Sequence, residues 1–210
     1  MAAARRQYGA PRHIVPAAEP TADPAPDRAG TAAPAVTIAA AGWWALADAD
    51  AYYPHDLPQD WRLGYFANDH PAVYVPASAW QRQTVAGLRA WRDDANQGFR
   101  FFLEHPSADN SAAPTPIQAA AALGERLGGW VRWPGAAPGA LLRPTPDASA
   151  SWGRAVTCPR ALVADLRAGA RWLREQADAA PATLVILADA SSAQLASWRQ
   201  LQQLLGLAEV

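Results

Sequence analysis

The strongest constraint on this chain is a regular exchange of short, apolar, β-branched runs with segments of helical periodicity. Val36-Thr37-Ile38-Ala39-Ala40, bounded by Gly42, reads as a buried strand. Ala72-Val73-Tyr74-Val75-Pro76, Phe99-Arg100-Phe101-Phe102-Leu103 and Thr183-Leu184-Val185-Ile186-Leu187 repeat the pattern. Ser78 resembles an N-cap, and Trp80, Val85, Leu88 and Trp91 recur at helical spacing, which predicts a helix over roughly 79–94. Thr115-Pro116 opens a second helix through Ile117, Ala121, Leu123 and Leu127 to Gly128-Gly129. Pro159 starts a third, with Leu162, Val163, Leu166, Ala170 and Leu173, and Ser191 or Ser192 caps a last one. Strands apolar on both faces need cover on both, so the expected fold is α/β, a parallel sheet with covering helices.

Between Gly128 and Cys158 the pattern weakens to three short strand candidates, at 130–133, 140–143 and 154–157. A doubly wound sheet and a barrel both fit this order. About 175 residues follow the N-terminal stretch, fewer than the ~250 of a full eightfold barrel, so a barrel is expected to be reduced or irregular.

Residues 1–34 hold six prolines among Ala, Asp and Thr and bury too little apolar surface to offset ordering. The expected division is a disordered Pro/Ala-rich tail over 1–34 and a single domain over 35–210. The formal net charge is −1, which gives nucleic acid and membrane surfaces no long-range attraction. All 18 cationic residues are arginine, so a Schiff-base or phosphate-cradling lysine is excluded. The one cysteine, Cys158, reads as a small buried hydrophobe. No window approaches a membrane span and no apolar core follows Arg5-Arg6, so the expected location is the cytoplasm.

One stretch carries a family resemblance. Trp43-Trp44, Tyr53-Pro54, Leu57-Pro58, Trp61-Arg62-Leu63, Tyr65-Phe66-Ala67, Ala72-Val73 and Gly98-Phe99-Arg100-Phe101 occur in an order and spacing that resembles the N-terminal part of the DUF72 (YecE-like) family, over roughly residues 43–104. The resemblance implies a TIM-barrel-like fold without an assigned biochemical role. Two departures mark the chain as divergent. Where the family carries Glu and Asn on its second strand, this chain has Tyr74 and Pro76. Where the family's third strand ends in Lys, this chain reads Leu103-Glu104-His105.

In parallel α/β folds, ligands sit beyond the C-terminal strand ends. Glu104, His105 and Asp189 fall there and are the candidate catalytic residues, a carboxylate and imidazole being suited to acid–base work. Trp43, Trp44 and Arg143 are the candidate ligand-binding residues. Adjacent strand residues point to opposite faces, so Glu104 and His105 share a site only if the strand has ended by Pro106. Asp189 equally suits capping of the last helix. The acidic run Asp48, Asp50, His55, Asp56 and Asp60 lacks the Gly and terminal Glu of a calcium loop and reads as solvated. No phosphate loop, GxSxG, HExxH or GxGxxG is present, and neither a cofactor nor a metal is implied. The expected function is binding of a small-molecule ligand at the strand C-termini. The alternative is a non-enzymatic scaffold or protein-partner-binding module.

Overall fold

The structure, a computed structural model, describes residues 35–107, 112–135, 138–145 and 150–208. The expectation for residues 1–34 lies outside them. Seven strands close into a barrel in chain order: β1 (Ala35–Ala41), β2 (Ala72–Val75), β3 (Arg100–Glu104), β4 (Leu127–Arg132), β5 (Gly139–Leu142), β6 (Ser151–Thr157) and β7 (Ala182–Leu187). The ring is closed by parallel pairing of β1 with β7, in continuous register from Ala35↔Ala182 to Ala40↔Leu187.

The expected parallel sheet is corrected to a mixed one. β1 to β4 are parallel, as are β6, β7 and β1, but β5 runs against both neighbours. The reason lies in the connections. A parallel crossover needs about a dozen residues or more, usually with a helix. Residues 133–138 and 143–150 are too few, so β4, β5 and β6 are joined as hairpins.

Strand alternation divides the apolar residues between two layers. Ala39, Tyr74, Phe102, Val131, Leu184 and Ile186 fill the barrel interior. Ile38, Val73, Val75, Phe101, Leu103 and Val185 face outward and pack under the helices. Small side chains on β1, β2 and β6 (Ala39, Ala72, Ala155) make room for Tyr74 and Phe102, so the interior is a packed core and not a pore.

The helices are α1 (Ala49–Tyr52), α2 (Arg62–Asp69), α3 (Ala77–Trp80), α4 (Val85–Asp94), α5 (Pro116–Leu123), α6 (Arg160–Val163), α7 (Leu166–Asp178) and α8 (Ser192–Leu204). The helix expected over 79–94 is two helices. Pro76, not Ser78, precedes α3, and Thr84 accepts from the Gly87 N–H to start α4. The helix expected from Pro159 is also split, because Asp165 accepts from the Ala168 N–H and begins α7. In both cases a side-chain acceptor inside the periodic run favours a new N-terminus over continuation. Thr115 and Gln118 form a capping box at α5, with Pro116 in its first turn. That helix ends before Gly124, whose φ is +54°, and Gly128-Gly129 belong to β4 instead. No helix among the described residues is long and apolar enough to cross a membrane.

Candidate functional site

β3 ends at Glu104, on the same face as Phe102, so its side chain enters the C-terminal mouth of the barrel. There the carboxylate accepts the backbone N–H of Ala77, the first residue of α3, at 2.9 Å. Its charge also acts on the nearby hydroxyl of Tyr74. That hydroxyl accepts from Trp133 Nε1 at 3.0 Å. Burial holds the Tyr74 phenol well above its ordinary range; the Trp133 bond opposes this, and the Glu104 charge adds to it. The Glu104 carbonyl accepts from Trp80 Nε1 at 2.9 Å. Main chain and side chain of Glu104 are therefore both held by protein groups.

His105 turns to the other side. Its N–H continues the ladder to the Val131 carbonyl at 2.8 Å, and its ring stands edge-on to buried Trp130, centroids 5.9 Å apart. Nδ1 lies 3.1 Å from the Pro106 carbonyl. Asp189 is exposed in the turn after β7, in left-handed backbone (φ +52°) that Asp tolerates better than most residues. β1 and β2 stand between β7 and β3 in the ring. His105 thus points away from Glu104, and no hydrogen bond or ion pair among the described residues joins either of them to Asp189.

Nor does Asp189 cap α8. Ser191 does, in a capping box with Gln194. A carboxylate joins it: Asp48, expected to be solvated, accepts from the Ser192 N–H at 2.9 Å and the Ser192 hydroxyl at 2.6 Å. The pair is 144 residues apart in sequence, and no local pattern signals it.

Trp43 is buried in the outer layer against Trp91 and Phe101, with centroids 4.9 and 6.5 Å away. Trp44 is 43% exposed and lies across Gly42, whose φ of +93° makes the turn out of β1. Arg143 follows β5. Because that strand is reversed, Arg143 emerges at the N-terminal end of the barrel, opposite Glu104. Two hollows open at that end. One, of about 340 Å³, is lined by Thr37, Ala72, Arg100, Phe102, Trp152 and Arg199 among others. Its neighbour, of about 660 Å³, shares Arg100, Gly128 and Trp152 and adds Glu125 and Arg143.

Two further groups are buried and titratable. Cys158 is a buried free thiol that burial pushes up to about 12, so it is not a nucleophile at neutral pH. His70, at the end of α2, is 5% exposed and packs 4.6 Å from the Phe66 ring with both nitrogens unpartnered. Burial, and then the Arg199 cation on α8, lower its pKa from 6.5 to about 4, against the opposing pull of Asp69 and Asp48. The unfolded chain thus takes up a proton between those two values that the folded chain refuses. Stability is whole above pH 6.5 and is lost as pH falls towards 4. His70→Leu is expected to melt above the parent at about pH 5 and to flatten this acid-side loss. Equal losses in thermal melts of parent and variant across the window would acquit His70.

Among the described residues no three His, Cys, Asp or Glu side chains are placed to share a metal ion. No family model, curated protein or solved structure matches the chain.

Proposed function

We propose that this chain is a divergent DUF72-like, TIM-barrel-like protein that works as a binding module, with Glu104 a structural group and not a general acid or base. The observation that carries this reading is the occupancy of Glu104. Its carboxylate holds the start of α3 through the Ala77 N–H, and its carbonyl is held by the Trp80 indole. The imidazole beside it in sequence packs outward on Trp130. An acid–base pair would need a second carboxylate or imidazole beside Glu104; none among the described residues bonds to it, and its own carboxylate is already engaged. The near-zero net charge favours a small ligand or a protein partner over nucleic acid. The lone buried thiol favours a reducing compartment, the cytoplasm.

Glu104→Gln tests the assignment. The amide keeps an acceptor for Ala77 but loses the charge. The expected result is a stability loss of about 1–3 kcal/mol in urea titrations. No turnover depending on Glu104 is expected across a panel of esters, phosphate esters and glycosides. Turnover that Glu104→Gln abolishes without lowering the melting temperature would reverse the reading.

A further inference from the structure

We propose that the N-terminal end of the barrel binds a small phosphate ester carrying a flat ring, in the joined hollows between Arg100, Arg143, Arg199 and Trp152. The proposal rests on the binding-module reading and gives that module a ligand class and a place. The place is the opposite end from the one expected of a parallel α/β fold.

The space follows from the packing of the strands. At the strand starts the lining positions are small, Thr37, Ala72 and Gly128, and the bulk of the core begins at Phe102. Arg100 stands at the first position of β3, on the same face as Phe102. Reversal of β5 delivers Arg143 to this rim, and α8 supplies Arg199 and Gln202. The inner hollow, of about 340 Å³, is the size of a small-ligand cleft.

Among the described residues no ion pair offsets the charge of these arginines. Arg100 Nη1 donates to the Gln97 and Phe99 carbonyls at 2.9 and 3.0 Å, and Arg199 Nη1 to the Asp69 carbonyl. These bonds orient the guanidiniums without neutralising them. No side-chain hydrogen bond holds Arg143 within the described residues. The ion pair Arg92–Asp93 lies elsewhere, and no carboxylate among the described residues pairs with these three arginines. Glu125 is the acid on the joined walls, set against three cations. Pre-oriented guanidiniums with free N–H donors match the oxygens of a phosphate, which accepts several charge-assisted bonds at once. The Trp152 indole forms part of both walls, with Phe102 on the inner one, and offers a face on which a ring stacks. The chain's net charge of −1 argues against a polyanion, which would need a positive field extending well beyond this hollow.

The test is calorimetric titration of the full chain with phenyl phosphate, inorganic phosphate, benzoate and phenol. Phenyl phosphate is expected to bind saturably and tightest, with affinity falling as salt rises. Arg143→Gln is exposed and should fold normally. It is expected to weaken phenyl phosphate about ten-fold, and Arg100→Gln about as much. Trp152→Leu should erase the advantage of phenyl phosphate over inorganic phosphate. Absence of saturable binding, or binding indifferent to both arginine variants, overturns the site. Benzoate binding as tightly overturns the phosphate assignment, and inorganic phosphate binding as tightly overturns the ring. Binding lost in Glu104→Gln but kept in Arg143→Gln would move the ligand to the other mouth, ending this proposal while sparing the binding-module reading. Hydrolysis of phenyl phosphate that depends on Glu104 would instead overturn that reading.

Discussion

Gly153→Ala is expected to cost about 3 kcal/mol or more, a large share of the stability of a domain this size. A Cβ at this position would stand 2.4 Å from the Ala182 carbonyl oxygen and 3.0 Å from its carbon. Both atoms are backbone, so no rotamer change relieves the overlap. Ala182 is also held by the barrel seam: its strand pairs with β1 through Ala35↔Ala182 and with β6 through Arg154↔Thr183. Relief therefore requires opening one of the two pairings that close the ring. Equilibrium urea unfolding followed by circular dichroism reads the effect. A variant that unfolds at the parent's midpoint would mean that β6 and β7 approach less closely than described.

Trp198→Ala should be about as damaging, at roughly 3–5 kcal/mol. Trp198 on α8 is fully buried, and its indole N–H donates to the Val163 carbonyl of α6 at 3.0 Å. Its ring meets Trp172 of α7 edge-on at 6.1 Å. It also fills the space over Gly169, where a Cβ would come within 2.9 Å of it. One side chain thus joins three helices, and truncation leaves a cavity and an orphaned carbonyl together. Trp198→Phe separates the two effects, since it restores most of the packing but not the hydrogen bond. Its expected cost is about 1–2 kcal/mol. If alanine and phenylalanine unfold at the same urea concentration, the hydrogen bond outweighs the packing.

Local features near the candidate residues are legible in sequence; their grouping into a site is not. The opposed directions of Glu104 and His105 follow from strand alternation alone. The caps at Thr115 and Ser191 follow from side chains within three residues of the groups they satisfy. Asp48 on Ser192 and Trp133 on Tyr74 span 144 and 59 residues, and no spacing rule reaches that far. A parallel β5 would put Arg143 with the C-terminal strand ends. Its true end depends on the direction of that strand.

By itself, the sequence determined the alternation of strand and helix, the apolar character of both strand faces and most of the helix starts. These are set by periodicities and hydrogen bonds acting over a few residues. Tertiary structure decided the closure of the ring, the reversal of β5 and the end of the barrel at which the arginines collect. Closure depends on the register between β1 and β7, which lie at opposite ends of the described chain. Reversal depends on connections too short for a crossover, weighed against the pairing partners available to β5. Glu104 shows the difference most plainly: its residue type suggests chemistry, and only the tertiary structure shows its carboxylate on the Ala77 N–H and its carbonyl on the Trp80 indole.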